Sequence, residues 1–306
     1  MKRYKWGVLH FTILIIFLVG CSSDEQKAFF VKAEDEEINH IHGAGYWGKG
    51  GIPVLATHEG LLEYQGGAWY KTTRNNHDYM GFQPTKEGFY SSGHPESRSG
   101  LKNPLGLVES KDKGESLDKL AFYGEIDFHY LGASYETGTV YVLNEVKNSE
   151  IGPGFFYSKN KGKDWVQLQL NGLTSSSVSG FAVHPSDDNT IAIYTEQGIF
   201  LSKNYGMDFS HIQTKGPITS LAFKKDSLIY SMIEDNQTTL NEMNLNNKMV
   251  NKFTSISFEN QNSPIYVNSN PQKESEMMIV TVKNDVFISE NGGKEWDKIL
   301  SNGETE

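Results

Sequence analysis

Histidine is the side chain best suited to bind a metal or move a proton near neutral pH, and its placement in this chain is uneven. Of nine histidines, six (His40, His42, His58, His77, His94 and His129) fall between residues 40 and 129, interleaved with Asp78, Glu125 and Asp127. Neutral imidazoles together with a carboxylate suit Zn²⁺, Cu²⁺, Ni²⁺ or Fe²⁺, and two histidines plus one carboxylate with open positions is a known catalytic arrangement. None of these residues forms a tight motif such as H-x-x-x-H, so only the fold can gather them. Thiol chemistry is excluded within the chain. Cys21 is its one cysteine, which leaves no intrachain disulfide and no cysteine-ligated zinc.

The elements that must do the gathering repeat. Trp69, Leu117, Trp165, Phe209, Phe253 and Trp296 each end a strand-turn-strand unit, at intervals of 48, 48, 44, 44 and 43 residues. A period in the forties marks a radial or stacked repeat. Four units share the turn S-x-[DN]-x-G-x-x-hydrophobe: Ser110, Asp112, Gly114, Leu117; Ser158, Asn160, Gly162, Trp165; Ser202, Asn204, Gly206, Phe209; and Ser289, Asn291, Gly293, Trp296. Asp or Asn at the third place bonds nearby backbone amides, Gly supplies a positive φ, and Ser adds a second local bond. Asp112, Asn160, Asn204 and Asn291 are therefore structural turn-makers, and the closing hydrophobe is expected to be buried. The first unit, Tyr64-Gln65-Gly66-Gly67-Ala68-Trp69, has a shortened turn, and the fifth, Asn244-Leu245-Asn246-Asn247, lacks the Gly.

These turns resemble the Asp-box, or BNR, repeat of sialidase-like β-propellers, sortilin-type receptors and the photosystem II assembly factor family. The run from His40 to Trp165 also resembles uncharacterised bacterial surface lipoproteins labelled glycosylhydrolase-like. The resemblance implies an all-β, six-bladed β-propeller, and runs such as Thr139–Leu143 and Met278–Val282 have the strand propensity it needs. It does not imply sialidase activity. That family places three arginines on the substrate carboxylate, whereas this chain past its leader holds two, Arg74 and Arg98. Other glycosidases need two carboxylates, for which Glu59, Glu125, Asp127 and Glu145 are available.

In a propeller the innermost strand of each blade lines a central channel. Aligning the small residues Gly45, Gly81, Gly132, Ala182, Ala222 and Ser269 puts His42, Asp78, His129, Ser179, Thr219 and Tyr266 in one column, a polar ring near one mouth. His42, Asp78 and His129 are the expected ligand or metal site, with His77, His58 and His94 in the next shell, and Zn²⁺ or Cu²⁺ the expected ion. The same residues can instead line a wet channel, bonding one another and trapped water. His184 and His211 fall toward the other end as structural residues. The loop from Gly93 to Gly106, the longest insertion, is expected to cover the mouth.

Lys2, Arg3 and Lys5 precede an apolar run from Trp6 to Gly20, too short to span a bilayer. It ends in Leu18-Val19-Gly20-Cys21, which resembles a bacterial lipobox. Residues 1–20 then read as a lipoprotein signal peptide and Cys21 as the lipidated N-terminus. Residues 21–37 read as an acidic tether whose patch Phe29-Phe30-Val31 is available as an outer strand that closes the ring, as is the segment after Trp296, and 38–306 as the propeller. Past residue 20 the chain carries 25 basic against 38 acidic side chains, a net of −13, which argues against nucleic acid as a partner. The expected protein is lipid-anchored on the extracytoplasmic face of a cell membrane and binds a protein, glycan or metal through its histidine-rich face. A glycan-acting hydrolase is the alternative.

Overall fold

The computed structural model describes residues 28–305. Its regular structure is entirely strand and falls into six antiparallel sheets. Each sheet is one blade, and its strands follow one another in sequence as an up-and-down meander. The innermost strands, Ile41–Trp47, Asp78–Thr85, Tyr130–Ala133, Gly180–Val183, Ile218–Lys224 and Pro264–Ser269, pack side by side around the channel, and the sixth meets the first. The fold is a six-bladed β-propeller.

Short two-residue turns explain much of this regularity. Gly66 and Gly67 both have positive φ, 58° and 83°, and join Gln65 directly to its ladder partner Ala68. Asp235 and Asn236 do the same in blade five, at 51° and 63°, between Glu234 and Gln237. Such turns match the right-handed twist of the strands they connect. The four repeated turns link the third and outer strands of their blades with one bonding scheme. In blade two the Gly114 amide donates to Ser110 Oγ (2.8 Å), Ser110 Oγ donates to Asp112 Oδ1 (2.8 Å), and the Ser116 amide donates to that same oxygen (2.9 Å). The Gly162, Gly206 and Gly293 amides repeat the first bond. In blade five, Asn244 Oδ1 substitutes by accepting the Asn246 and Asn247 amides. The hydrophobes that close the units are less buried than expected. Trp69 and Phe209 are buried, but Leu117, Trp165, Phe253 and Trp296 are half-buried, because they sit beside outer strands that have solvent on one side.

The core lies between blades rather than at the centre. Trp47, Val54 and Leu61 of blade one meet Tyr79, Phe82 and Phe89 of blade two, and four further wedges repeat this around the ring. The sixth wedge closes it: Leu55, Leu62 and Trp69 pack on Met278, Val280 and Leu300 of blade six, and Trp69 Nε1 donates to the Ile299 carbonyl (2.8 Å). Blade six is completed by its own outer strand, Asp297–Leu300. Phe30–Lys32 does not close the ring as an exchanged strand. It pairs with Ala68–Thr72 as a fifth strand of blade one, and the Glu36 amide donates to Thr305 Oγ1 (2.9 Å) while the Thr305 amide returns a bond to Glu36 O. The propeller therefore begins before residue 38, since the backbone groups of Phe30–Lys32 find partners on an open sheet edge. Residues 1–20, Cys21 and the start of the tether lie outside the described residues.

Candidate metal centre at the histidine-lined mouth

Three of the inner strands carry a β-bulge near the same end. In blade one the ladder pairs Ile41 with Thr57 and Gly43 with Ala56, leaving His42 as the extra residue. A bulge re-aims the side chain it carries, and His42 turns into the mouth, where it lines the channel and is 10% exposed. The corresponding extra residues are Thr219 in blade five and Ile265 in blade six. The column drawn from sequence slips in blade six: Tyr266 matches Gly43, not His42, because the extra residue stands three positions before Gly45 and Ala222 but four before Ser269. In blade two the irregularity lies between Met80 and Gln83, and Gly81 adopts φ 52° with its α-carbon so close to blade three that a Cβ would stand 2.2 Å from the Phe128 carbonyl oxygen.

The structure gathers His42, His58 and Asp78. His42 Nε2 lies 3.3 Å from Asp78 Oδ1 and 3.1 Å from His58 Nδ1, and His58 Nδ1 lies 3.1 Å from Asp78 Oδ2. His58 reaches this point from the two-residue hairpin tip between Thr57 and Gly60, and Asp78 opens the inner strand of blade two. His40 packs at a tilt against both rings, with centroids 4.5 and 5.3 Å away. Burial pushes the His42 imidazole down to about 4, against the pull of the Asp78 carboxylate, so the ring is neutral at pH 7. Asp78 Oδ1 is buried and has no hydrogen bond. A tetrahedral ion with bonds of about 2.0–2.1 Å requires donor-to-donor edges of about 3.3–3.4 Å. The His42–His58 contact comes within a few tenths of that, each imidazole nitrogen lies 3.1–3.3 Å from a different oxygen of Asp78, and one ligand atom from each of the three residues lies within 4.8 Å of the others; the donors are those of a borderline divalent ion. Two imidazoles and a carboxylate so placed suit a divalent ion held by three protein ligands.

The expected third member, His129, lines the same mouth but faces a different carboxylate. Its Nε2 lies 3.5 Å from Asp127 Oδ2, and His94 Nε2 lies 3.4 Å from the same oxygen. His129 lies just before the inner strand of blade three rather than within it. His58, placed in the next shell from sequence, takes the third position. His77 belongs to no site. It is 2% exposed, and its Nδ1 accepts the Glu96 amide (2.8 Å), so burial lowers its basicity and its role is to hold the 94–106 loop. That loop does not cover the mouth: Leu105 N bonds Gly93 O, Lys102 N bonds the Tyr123 hydroxyl (2.6 Å), and no residue of it lines the channel. His184 and His211 are structural, donating through Nε2 to the carbonyls of Lys225 (2.7 Å) and Gln197 (2.8 Å). Arg74 leaves the mouth to lie over Phe29 and beside Glu115. Glu125 accepts the Ser149 amide (3.0 Å).

Below the mouth the channel encloses about 440 Å³, and among the described residues no Asp, Glu, Lys or Arg lines it. Tyr130, Tyr194 and Tyr266 face it, and the hydroxyl of Tyr46 and the amide nitrogen of Asn268 are buried there without partners. Sequence counting placed Tyr266 in its polar ring but missed Tyr46, Tyr130 and Tyr194, which lie outside the column it compared.

No family model matches the chain, and no curated protein matches it in sequence. Solved structures do share the fold. The GH74 xyloglucanase of Xanthomonas campestris superposes with a TM-score of 0.52 at 14% identity, covering 87% of this chain and 46% of that one. A structure of YCF48 bound to D1 peptide gives 0.50 at 13%, covering 89% and 85%, and the nidogen/laminin complex gives 0.55 at 11%, covering 83% and 91%. The chain spans less than half the length of the xyloglucanase. At such identities the likeness defines the architecture and nothing finer.

Proposed function

We propose that this protein is a lipid-anchored, extracytoplasmic binding module that holds a divalent transition metal, Zn²⁺ or Cu²⁺, with His42, His58 and Asp78 and presents it to a protein or glycan ligand at the channel mouth. The observation that carries this reading is the gathering of two imidazoles and a carboxylate with ligand atoms within 4.8 Å of one another, one carboxylate oxygen being buried without a donor. The hydroxyl- and ring-lined channel beneath suits a neutral, hydroxyl-rich group better than an ion. The four turns built like Asp boxes belong to the scaffold in this reading. The glycan-hydrolase alternative gains less support, because Glu125 is occupied by the Ser149 amide and Asp127 is flanked by imidazoles rather than by a second carboxylate.

The test is calorimetric titration with Zn²⁺ and Cu²⁺ at neutral pH, on protein purified without a histidine tag. Asp78→Asn is expected to weaken the site formed with His42 and His58 by about a hundredfold, within the range that loss of a ligand or its support produces. Affinities that are identical in wild type and Asp78→Asn overturn the reading.

A further inference from the structure

Beside the first cluster lies a second that the proposed function leaves unused. Asp127 is 11% exposed, and both of its carboxylate oxygens are buried without a hydrogen-bond donor. A buried carboxylate in that condition is costly unless a cation or a proton completes it. What faces it is specific. The His94 Nδ1–H donates to Asn103 Oδ1 (2.7 Å), which fixes the tautomer and leaves the Nε2 lone pair directed at Asp127 Oδ2, 3.4 Å away. Two acceptors thus confront each other across a gap that matches one edge of a tetrahedral metal site, about 3.3–3.4 Å. An oxygen that holds the far nitrogen of an imidazole is the usual support of a metal-ligating histidine. His129 Nε2 stands 3.5 Å from the same carboxylate oxygen. The histidines here are less tightly gathered than in the first cluster, and His129, half exposed, has room to close by side-chain rotation.

The two clusters are contiguous. Asp78 and His94 are direct ladder partners in blade two, so the carboxylate of one group and the supported imidazole of the other rise from opposed positions, with Cβ atoms about 4.5–5.5 Å apart. We infer that Asp127, His94 and His129 form a second divalent-cation site, adjacent to that of His42, His58 and Asp78, and that the mouth carries a pair of ions of the imidazole-preferring class. This site stands on its own observations and does not require the first to be occupied.

Equilibrium dialysis of the full chain in detergent against Zn²⁺ at neutral pH, with bound metal counted by mass spectrometry, tests the inference. Wild type is expected to hold two equivalents, Asp127→Asn one, Asp78→Asn one and the double variant none. Asn103→Ala, which frees the His94 ring without touching a ligand, is expected to keep both sites and weaken one by tenfold or more. It also serves, with His94→Gln, should Asp127→Asn not fold. One equivalent in wild type, lost in Asp78→Asn and kept in Asp127→Asn, overturns the second site and leaves the first. One equivalent lost only in Asp127→Asn supports the second site and overturns the first reading. Two equivalents kept in Asp127→Asn also overturn the inference.

Discussion

The depressed basicity of His42 makes a quantitative prediction about the metal-free protein. An unfolded imidazole takes up its proton near its ordinary value of about 6.5, whereas the native ring, desolvated at the mouth, does so only near 4. Between those values the unfolded state binds more protons than the native one, so stability is full above pH 6.5 and falls as the pH drops toward 4. The interval corresponds to at most about 3.5 kcal/mol, at about 1.4 kcal/mol per pH unit. With the side chain 10% exposed, solvent screening removes little of it. His42→Gln removes the titrating group while keeping a polar side chain of similar reach. Urea midpoints measured at pH 7.5 and pH 4 with a chelator present are expected to show wild type losing about 2–3 kcal/mol more than His42→Gln over that interval. Background losses from other groups, including buried His77, appear in both proteins and cancel. Parallel pH profiles for the two proteins refute the argument, as does an NMR titration in which His42 protonates near 6.5.

Trp69→Ala is expected to cost about 3–5 kcal/mol in urea denaturation, since it empties the wedge between blades one and six. Trp69→Phe keeps most of that packing and loses the bond to the Ile299 carbonyl, for about 1–2 kcal/mol. Gly81→Ala is expected to cost about 2–4 kcal/mol through a positive φ and a clash with the Phe128 carbonyl; a melting temperature equal to wild type counts against the tight approach of blades two and three. Cys21→Ser is expected to abolish incorporation of labelled fatty acid while the circular dichroism of the propeller is unchanged. Continued labelling removes the lipid anchor from the reading.

The architecture was legible because it repeats. Turns such as Ser158 to Trp165 and Ser289 to Trp296 declare their spacing locally, and each repeat fixes one blade. The fifth blade was harder, since Asn244 makes with its side chain the bonds that Ser and Gly make elsewhere. The site was half legible. His42 and Asp78 shared a column because both sit at the start of inner strands, but exchanging His129 for His58 depends on a bulge and a hairpin tip, neither of which leaves a mark in residue spacing. Asn103 could not have been found from sequence, because its role is to hold a ring nine positions away, across a long loop. The sequence leaves ring closure between Phe29–Val31 and the segment after Trp296; Asp297–Leu300 completes blade six and Phe30–Lys32 joins blade one, since an apolar patch does not name the edge it will join.

The seam between blades one and six has a consequence for how the protein is made. Among the described residues no strand is exchanged between the ends of the ring, and the bond from Trp69 reaches a residue 230 positions later. As the chain emerges in order, blade one can form early, yet its flank of Leu55, Leu62 and Trp69 has nothing to cover it until the last strands arrive. Throughout that interval the nascent propeller is an open arc with an apolar edge, a sticky intermediate of the kind that recruits chaperones or aggregates. Truncation within the last blade would leave that edge exposed permanently, so the final residues act as the lock for the first blade to be translated.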